Sequence, residues 1–335
     1  MRAALLSKFN EPWQVKDVPD PRAEDGQVIV RIEACGLCGT DVHVHHGYIP
    51  GIQLPIVPGH EPVGRIVEVG RGVMGLKVGD RVGVSWAQQG CGRCRACQEQ
   101  REGYCQSSQS WMQLGGGFGE LMRAWARGCT IVPEGLSSED AAPMFCAGFT
   151  VMSGFRAADP KPGERVAVIG IGGLGHLAVQ VAKALGHEVV AITGSADKVK
   201  PALELGAHQA IPAGDDAGKS LMMVGGADVV VSTSNSAKHV SQVLGGLRPE
   251  GRLVNLGALD GPIAVDSFQL MFPPRRLVGA SQGHRRDLVE LLGLAAAGKV
   301  KPKLEVHPLQ EINQVLDRQA AGKVRFRSVI TYPRA

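Results

Sequence analysis

Hydrophobic and polar positions follow two different rhythms along the chain. Within the first 150 residues, short apolar runs bounded by glycine and proline predict β-strands joined by tight turns, as in QVIVRIEAC, GRIVEVG and DRVGVSW. From Glu164 onward, runs typical of buried strands alternate with helical patterns, as in RVAVIG, GGLGHLAVQVAKALG and HEVVAIT. Strands that alternate with helices indicate βαβ units around a parallel sheet.

The later part of the chain continues this alternation and then changes again. ADVVVSTS, RLVNLGAL and RRLVGAS predict further strands, and HVSQVLGGLRPEG predicts a helix. Beyond them, RRDLVELLGLAAAGKV predicts another helix and KVRFRSVITY a closing strand. A chain of 335 residues exceeds the size at which one hydrophobic core stops growing. We therefore expect an α/β protein with a β-rich domain of residues 1–150 and 285–335 and a doubly wound domain of residues 151–284.

Composition narrows the class of protein without giving a function. The chain is 44% hydrophobic and 20% charged, and 36 Lys and Arg against 32 Asp and Glu leave a net charge of +4. This mild charge lacks the basic block of a nucleic-acid-binding tail. No apolar run approaches the length of a membrane span, and the start, MRAALLSKFN, lacks a signal-peptide core. We expect a cytoplasmic protein that binds neither nucleic acid nor membrane, with eight cysteines acting as ligands or nucleophiles rather than in disulfides.

A glycine-rich motif follows the strand RVAVIG and opens the helix after it. Its glycines fall at G-x-G-G-x-G spacing, with Leu174 before the last one: Gly170, Gly172, Gly173 and Gly175. In this context, glycines let the backbone approach a pyrophosphate at the N-terminus of the helix. The alternative is a tight strand–helix turn without a ligand. The strand and helix on either side favour a dinucleotide cofactor.

The end of the second strand of this region bears on which dinucleotide binds. An NAD-binding chain is expected to carry an acid there for the ribose 2′-hydroxyl, but this chain has AITGSADK. The hydroxyls of Thr193 and Ser195 and the charge of Lys198 suit a 2′-phosphate instead. We therefore expect NADP(H) to be favoured over NAD(H). In the alternative, Thr193 and Ser195 cap the next helix while Asp197 reaches the ribose.

Four cysteines occur within one short, charged segment, GCGRCRACQEQREGYC. Their spacing, C-x2-C-x2-C-x7-C, allows four thiolates to surround one tetrahedral Zn²⁺ with no open position, which is the arrangement of a structural site. The predicted ligands of this lobe, residues 90–106, are Cys91, Cys94, Cys97 and Cys105. Two disulfides or a redox switch are the alternatives, and a reducing compartment disfavours both.

A second group of possible ligands lies in EACGLCGTDVHVHHG, PIVPGHEPVG and PMFCAGFT. Cys38, His60 and Cys146 would supply one imidazole and two thiolates and leave a position for water or substrate, as in catalytic zinc sites. From spacing alone, the cysteines could instead be small buried residues and the histidine could simply pack in the core.

Taken together, these motifs resemble those of the zinc-dependent alcohol dehydrogenases of the medium-chain dehydrogenase/reductase superfamily. CGLCGTDVH, PGHEPVG, VGDRVGV, the four-cysteine lobe, CAG-x-T, GIGGLGH and GKVRFRSVI follow the family's order over essentially the full length. The resemblance implies a GroES-like catalytic domain, a Rossmann nucleotide-binding domain and two zinc ions per chain. It also implies hydride transfer between a small alcohol or aldehyde and NAD(P), in a homo-oligomer that is a dimer or a tetramer.

The resemblance further implies roles for individual residues. Cys38, His60 and Cys146 would hold the catalytic zinc, and the four cysteines of the lobe would hold the structural one. It gives these roles to other residues: Thr40 takes the proton of the alcohol, Asp41 orients His60, His43 passes the proton to solvent, Glu61 reaches the metal transiently, Trp86 walls the substrate pocket, Thr150 lies beside the nicotinamide and Arg327 near the pyrophosphate.

Two departures from the family pattern concern the cofactor and the substrate. Gly39 stands where some members carry a basic or imidazole side chain that faces the pyrophosphate. The segment SWMQLGGGFGE places Trp111 and Met112 where pocket-lining residues are expected. The competing functions are a zinc-independent quinone or enone reductase of the same superfamily and, in a different class, a zinc module that binds another macromolecule.

Overall fold

The computed structural model describes residues 1–333. In chain order, the strands are β1 (Arg2–Leu5), β2 (Gln14–Asp17), β3 (Gln27–Leu37), β4 (Glu61–Val69), β5 (Arg81–Val84), β6 (Ala87–Gln89), β7 (Gln109–Ser110), β8 (Leu121–Trp125), β9 (Cys129–Ile131), β10 (Arg165–Ile169), β11 (Glu188–Thr193), β12 (Gln209–Pro212), β13 (Ala227–Ser232), β14 (Leu247–Asn255), β15 (Arg276–Gly279), β16 (Leu304–Pro308) and β17 (Arg327–Thr331).

The α-helices, like the strands, range from a few residues to about a dozen. They are α1 (Gly39–His45), α2 (Arg95–Gln98), α3 (Trp111–Leu114), α4 (Ser138–Ala141), α5 (Ala147–Ala158), α6 (Gly175–Ala184), α7 (Val199–Glu204), α8 (Ala217–Met223), α9 (Ala237–Val243), α10 (Ser267–Met271), α11 (Arg285–Ala296) and α12 (Ile312–Ala320). Within residues 1–333, no helix combines the length and the apolar character needed to cross a membrane.

The chain folds as two compact units. Among the described residues, the first comprises Met1–Ala147, His284–Ala296 and residues 302–333, and the second comprises Gly148–Gly283 with Ala297–Lys301. The domain limits predicted from the sequence differ from these by only a few residues. The segment Ala297–Lys301, which the prediction assigned to the catalytic domain, lies in the second unit.

The first unit is built around a largely antiparallel sheet of seven strands. Its order is β16-β17-β3-β4-β5-β9, with β8 also paired to β3, and only the β16–β17 pair is parallel. The eleven residues of β3 are buried at nearly every position, because β4, β8 and β17 all pair with this strand. Trp13, Trp111 and Phe118 are among the largest side chains of the core on which the sheet closes.

The second unit contains a parallel sheet of six strands in the order β12-β11-β10-β13-β14-β15. This is the doubly wound order 3-2-1-4-5-6, in which the strand order reverses between the first and fourth strands, here β10 and β13. One sequence prediction was wrong. Helix α9 ends at Val243, and the segment LRPEG belongs to β14. Gly245, Gly246 and Pro249 explain this, because glycine and proline both disfavour continuation of a helix.

Candidate metal centres and cofactor loop

The central strands of the first unit bring distant parts of the chain to one edge of the sheet. The antiparallel register of β3 and β4 pairs Gly36 with Glu61. On the other side of β3, the register with β17 pairs Leu37 with Ser328. Three predicted site residues adjoin these pairs: Cys38, His60 and Arg327. Strand pairing therefore assembles the site from segments that are far apart in sequence.

Cys38 lies at the junction between β3 and α1. It is the N-cap residue of α1, and its Sγ accepts the Thr40 N–H at 3.2 Å. In return, the Asp41 carboxylate accepts the Cys38 N–H at 2.9 Å, which completes a capping box. Both the free N–H groups and the positive end of the helix dipole favour an anionic group here. The local sequence thus favours the anionic form of the Cys38 side chain.

The other predicted ligands surround the Cys38 sulfur. His60 Nε2 lies 3.2 Å from Cys38 Sγ, and His60 Nδ1 lies 3.2 Å from Asp41 Oδ1. Cys146 follows the 3₁₀ turn Ala142–Phe145, and one donor atom from each of Cys38, His60, Glu61 and Cys146 lies within 4.8 Å of the others. His60 and Asp41 are almost fully buried, whereas Cys146 is half-buried. The group is closed on the Asp41 side and partly exposed at Cys146.

The two thiols of this cluster differ in their electrostatics. The hydrogen bond from the Cys146 thiol and the charge of the His60 ring hold the pKa of the Cys38 thiol well below its usual range. The same hydrogen bond, together with burial, raises the pKa of the Cys146 thiol. Without a cation, the pair shares one proton, because two adjacent buried thiolates would repel each other. A divalent cation would remove that conflict and allow both sulfurs to be anionic.

Arg327 forms an ion pair with Glu61 inside this cluster. Arg327 Nη2 donates to Glu61 Oε1, and both side chains are almost completely shielded from solvent. Glu61 Oε1 also lies 3.9 Å from His60 Nε2, while Glu61 Oε2 is buried with no hydrogen-bond partner. Burial raises the pKa of the Glu61 carboxyl above its usual range, although Arg327 opposes this effect. A buried carboxylate oxygen without a donor is a natural ligand atom for a cation.

The donor set fits zinc better than other metals. One imidazole and two thiolates around a cavity with a nearby carboxylate is the composition of an open zinc site, in which a fourth position remains for water or substrate. Soft sulfur ligands disfavour magnesium and calcium, which prefer oxygen. The cluster of Cys38, His60 and Cys146 could therefore hold a catalytic zinc ion.

The four-cysteine lobe forms a second and different group. The sulfurs of Cys91, Cys94, Cys97 and Cys105 lie within 4.8 Å of one another, with Cys91–Cys97 at 4.0 Å and Cys94–Cys97 at 3.5 Å. Zn–S bonds of about 2.3 Å in a tetrahedron require sulfur–sulfur separations of about 3.8 Å. All four cysteines are free thiols, and Gly90 has no room for a side chain, since a Cβ would lie 2.4 Å from Cys97 Sγ.

Backbone groups prepare this lobe for a cation. The Cys94 N–H donates to Cys91 Sγ, and the Cys91 N–H donates to Cys105 Sγ, both at 3.4 Å. The backbone N–H groups of Arg93 and Cys94 lower the pKa of the exposed Cys91 thiol to about 6. No residue of α2, which lies within the lobe, is buried. The lobe therefore has little core of its own, and a closed metal site would supply its stability.

The predicted proton-transfer residues and substrate wall adjoin the first cluster. Thr40 and His43 are three residues apart on α1 and therefore lie on the same face of that helix. The Trp86 ring centroid is 5.2 Å from that of His60 and 5.5 Å from that of Trp111. Trp111 is 1% exposed, and Met112, the next residue of α3, is half-buried. Trp86 presents the more accessible of the two indole rings.

The glycine motif of the second unit lies at the point where the strand order of its sheet reverses. Gly170 has φ +92°, and a Cβ there would lie 2.6 Å from the Ser234 N atom. A Cβ at Gly175 would lie 2.0 Å from the carbonyl oxygen of Gly170. Gly172, by contrast, is exposed with nothing within 4 Å of such a Cβ. The outer glycines are therefore required by the fold itself, whereas Gly172 leaves open the approach that a pyrophosphate would use.

The end of β11 differs in one respect from the prediction. The Thr193 side chain is fully buried, and its hydroxyl donates to the Ser195 carbonyl oxygen at 2.8 Å. Neither Thr193 nor Ser195 caps the following turn through its side chain. At this turn Gly194, Ala196 and Asp197 are exposed, and Ser195 and Lys198 are half-buried. Elsewhere in the second unit, Thr150 is half-buried on α5, and Gly173 and Leu174 lie in the loop before α6.

Sequence reasoning missed two features of the first cluster. It did not identify Arg327 as the partner of Glu61, because the two residues are 266 positions apart. It also overlooked Gly36, where a Cβ would lie 1.9 Å from Glu61 Oε2. A glycine inside a strand indicates close approach of another group, so Gly36 carried a readable signal. The pairing of Arg327 with Glu61 left no such signal in the sequence.

Comparisons with known proteins agree with this geometry. The family model described as "Alcohol dehydrogenase GroES-like domain" matches residues 24–134, and that described as "Zinc-binding dehydrogenase" matches residues 173–297. An alcohol dehydrogenase of Geobacillus stearothermophilus is 42% identical over 98% of this chain and 99% of its own length. The chain belongs to the zinc-dependent alcohol dehydrogenase family.

Two solved structures of this alcohol dehydrogenase fold contain a nicotinamide cofactor. An acetophenone reductase from Geotrichum candidum NBRC 4597 in complex with NAD has a TM-score of 0.87 and 26% identity, and the match covers 99% of this chain and 97% of the reductase. CAD from Helicobacter pylori, complexed with NADP(H), has a TM-score of 0.87 and 25% identity, with coverage of 98% and 97%. The zinc-dependent alcohol dehydrogenase family therefore accounts for both the metal-ligand clusters and the glycine loop of this chain.

Proposed function

We propose that this enzyme transfers hydride between a small alcohol or aldehyde and NADP(H), with two zinc ions per chain. The contrast between its two ligand sets carries the proposal. Cys38, His60 and Cys146 form a buried set with a position to spare, as catalysis needs, whereas the four thiols of the lobe close their own site. A zinc-independent reductase would have no use for the first set, and a zinc-binding interaction module would have none for the glycine loop.

Each residue around the first set has a physical task. When bound, zinc supplies Lewis-acid polarisation of the substrate oxygen and the nicotinamide carries the hydride. The Asp41 carboxylate, whose Oδ1 lies 3.2 Å from His60 Nδ1, would hold the ring so that Nε2 faces the thiolates. The Thr40 hydroxyl receives the substrate proton and passes it toward His43, whose imidazole can take up a proton and release it to solvent. Arg327 neutralises Glu61, so that a second anionic group can remain beside two thiolates.

The cofactor preference rests on the turn after β11. No acid ends this strand, and Lys198 and Ser195 present a cation and a hydroxyl where a ribose 2′-phosphate would lie. Thr193, whose hydroxyl is engaged inside the turn, acts by holding the turn rather than by direct contact. Gly170, Gly172, Gly173, Leu174 and Gly175 would receive the pyrophosphate, with Thr150 beside the nicotinamide.

Substrate choice and assembly are further parts of the proposal. Trp86, Trp111 and Met112 would give an apolar wall suited to an aromatic or branched aliphatic aldehyde.

The edge strand β15 carries Leu277, 40% exposed, and the nearby α10 segment exposes Phe268, Met271 and Phe272. We infer that a second copy covers this edge, because exposed apolar side chains beside an unpaired strand favour association. The lobe holds free thiols in contact with one another, as Cys94 and Cys97 are. We infer a cytoplasmic location, because thiols stay reduced in the cytoplasm.

The first test is a screen of aliphatic and aromatic aldehydes with NADPH and NADH, followed by absorbance of the reduced nicotinamide. Zinc content is measured on the same preparation, and the screen is repeated after removal of metal by a chelator. Two zinc ions per chain and chelator-sensitive reduction with NADPH support the proposal. Metal-independent activity on enones or quinones would replace it with the zinc-independent reductase.

A matched pair of lysine variants separates the cofactor question from the rest. Lys198→Ala is expected to raise the KM for NADPH by about tenfold while leaving that for NADH nearly unchanged, because one charge-assisted contact to phosphate is lost. Lys200→Ala, an exposed lysine two positions along the chain, is the control and should alter neither value. Equal effects of the two variants would remove Lys198 from the proposed site.

A further inference from the structure

The loop that carries His60 is held by a second loop that is rich in glycine. The first comprises residues 57–60 and the second residues 115–118. Three backbone hydrogen bonds of 2.7–2.9 Å join them: Gly116 N–H to Val57 O, Gly117 N–H to Gly59 O and Phe118 N–H to Pro58 O. Because Gly59 directly precedes His60, any shift of the glycine loop is passed to the backbone of this ligand.

Glycine is required for this backbone-to-backbone contact. A Cβ at Gly116 would lie 2.4 Å from the Gly59 carbonyl oxygen, and one at Gly117 would lie 2.5 Å from Pro62 Cβ. Gly59 itself has φ +107°, which other residues rarely adopt, and a Cβ there would lie 2.7 Å from Phe118 N. The unusual glycine run in SWMQLGGGFGE therefore has a structural reason. It lets the two loops touch without any side chain between them.

Tyr332 fixes the glycine loop from the other side. Its Oη donates to the Gly117 carbonyl oxygen at 2.8 Å, across 215 positions of sequence. The side chain is 8% exposed and packs in the core of the first unit, and its backbone N–H donates to the Glu33 carbonyl oxygen at 3.4 Å. Gly117 thus accepts from Tyr332 and donates to Gly59. Hydrogen bonds in such a chain polarise and strengthen one another.

The same glycine loop also fixes the predicted substrate wall. Gly115 caps α3 by donating to the Trp111 carbonyl oxygen at 2.8 Å, and the Trp111 ring centroid lies 6.5 Å from that of His60. The ligand and the wall therefore share one support. We propose that the Tyr332 hydroxyl is a positioning group that sets His60 relative to Trp111, through Gly117 and Gly59. The inference rests on the proposed function, because it assigns His60 to a zinc ion.

The test measures zinc release from the holoenzyme to a chromophoric chelator. The wild-type enzyme is expected to release zinc in two kinetic phases, and Cys94→Ser, which removes one ligand of the lobe, identifies the phase that belongs to the lobe. Tyr332→Phe keeps the ring and removes only the hydroxyl. It should accelerate release from the His60 cluster about tenfold, the lower end of the effect of losing a group that supports a ligand. Release from the lobe should not change.

A second readout concerns substrate. Because Tyr332→Phe loosens the support of Trp111, we expect it to raise the KM for aromatic aldehydes more than that for small aliphatic ones, with kcat less affected. The matched control is Ile330→Val, a core residue of β17 two positions before Tyr332 that has no hydrogen bond to the glycine loop. This control should lower thermal stability modestly and leave zinc release and the KM ratio at wild-type values.

The possible outcomes separate the inference from the proposed function. Fewer than two zinc ions in the wild-type enzyme would refute the proposed function itself. Two zinc ions with equal release rates in Tyr332→Phe and Ile330→Val would leave the proposed function standing and reduce Tyr332 to a core residue. If Tyr332→Phe does not fold, Gly117→Ala moves the same loop against Pro62 without altering Tyr332. It should reproduce the faster release from the His60 cluster, and wild-type release would overturn the inference.

Discussion

The two cysteine-containing sites of the first unit differ in burial and in the sequence separation of their members. The lobe collects four thiols from residues 91–105, stays largely exposed, and relies on backbone N–H groups to favour thiolates. The His60 cluster is buried and takes its members from four separate segments, two of which, at Glu61 and Arg327, are 266 positions apart. The ligands of the lobe are close in space because they are close in sequence. The members of the cluster are close in space because strand pairing in the sheet brings distant segments together.

The difference explains what each site can do. A closed set of four thiolates leaves no position for a reacting group, so it can only stabilise the segment that carries it. The buried cluster keeps Glu61 and Arg327 beside the ligands, where low polarity strengthens every charge interaction. It also presents the half-buried Cys146, which is the more accessible of its two thiols. A reaction centre needs to be buried and yet accessible on one side. Burial of this kind requires residues from distant parts of the sequence.

The largest effect should separate the two sites by activity. His60→Ala removes the only imidazole of the cluster and is expected to lower kcat/KM by about 10³-fold or more, because the polarising metal contributes several kcal/mol to the transition state. Zinc content should fall from two ions to one. The control is Cys129→Ala, a buried thiol outside both sites, which should retain nearly full activity. Full activity of His60→Ala with one zinc ion would reverse the roles assigned to the two sites.

The next effect concerns stability of the cluster. Arg327→Met leaves Glu61 buried without its cation and should lower the free energy of unfolding by about 3–5 kcal/mol. All four tryptophans, at positions 13, 86, 111 and 125, belong to the first unit, so indole fluorescence during urea unfolding reports on this unit alone. Adding Glu61→Gln to Arg327→Met should restore most of the loss. A double variant no more stable than Arg327→Met would show that packing of the guanidinium, not its charge, is what matters.

The two sites also differ in how far they could be predicted. The C-x2-C-x2-C-x7-C spacing, the glycine motif and the alternation of strands and helices are local patterns, and the structure shows each in the expected context. Cys38, His60 and Cys146 needed a family resemblance, because sequence spacing does not encode the register that pairs Gly36 with Glu61. The Arg327–Glu61 pair and the contact between Tyr332 and Gly117 depend on the same long-range register, so no local pattern announces them.

Two predictions from local sequence differ from the structure, and residues in the same segments explain the differences. The segment HVSQVLGGLRPEG has helical periodicity at its start, but two glycines and a proline follow, and α9 ends before them. The prediction for Thr193 placed its hydroxyl on the cofactor, whereas the folded turn uses that hydroxyl internally. Short polar side chains often bond to nearby backbone, which makes such residues poor guides to ligand contacts.

A smaller effect is expected at the lobe. Cys94→Ser should release the zinc ion of the lobe and expose residues 90–106 to protease, because α2 has no buried residue to hold it in place. Activity per folded molecule should stay within about twofold of wild type, since local opening of such a segment is separable from the rest of the fold. Cleavage rate and turnover are measured on the same sample. Loss of turnover at a wild-type cleavage rate would contradict the division of labour between the sites.

The smallest effect concerns the reactivity of a thiol of the lobe after metal removal, compared with that of a buried thiol outside both sites. In the metal-free protein, Cys91 is exposed and its pKa is lowered to about 6, so it is mostly thiolate at neutral pH. Its alkylation by iodoacetamide should therefore fall about tenfold between pH 7 and pH 5, as the thiolate is protonated. Cys129, buried and with a pKa raised to about 12, should stay unmodified across this range. Peptide mass spectrometry resolves the two. An alkylation midpoint of Cys91 near pH 8.5, that of an ordinary thiol, would mean that the backbone N–H groups of the lobe do not favour the anion, and that the metal alone creates the thiolates there.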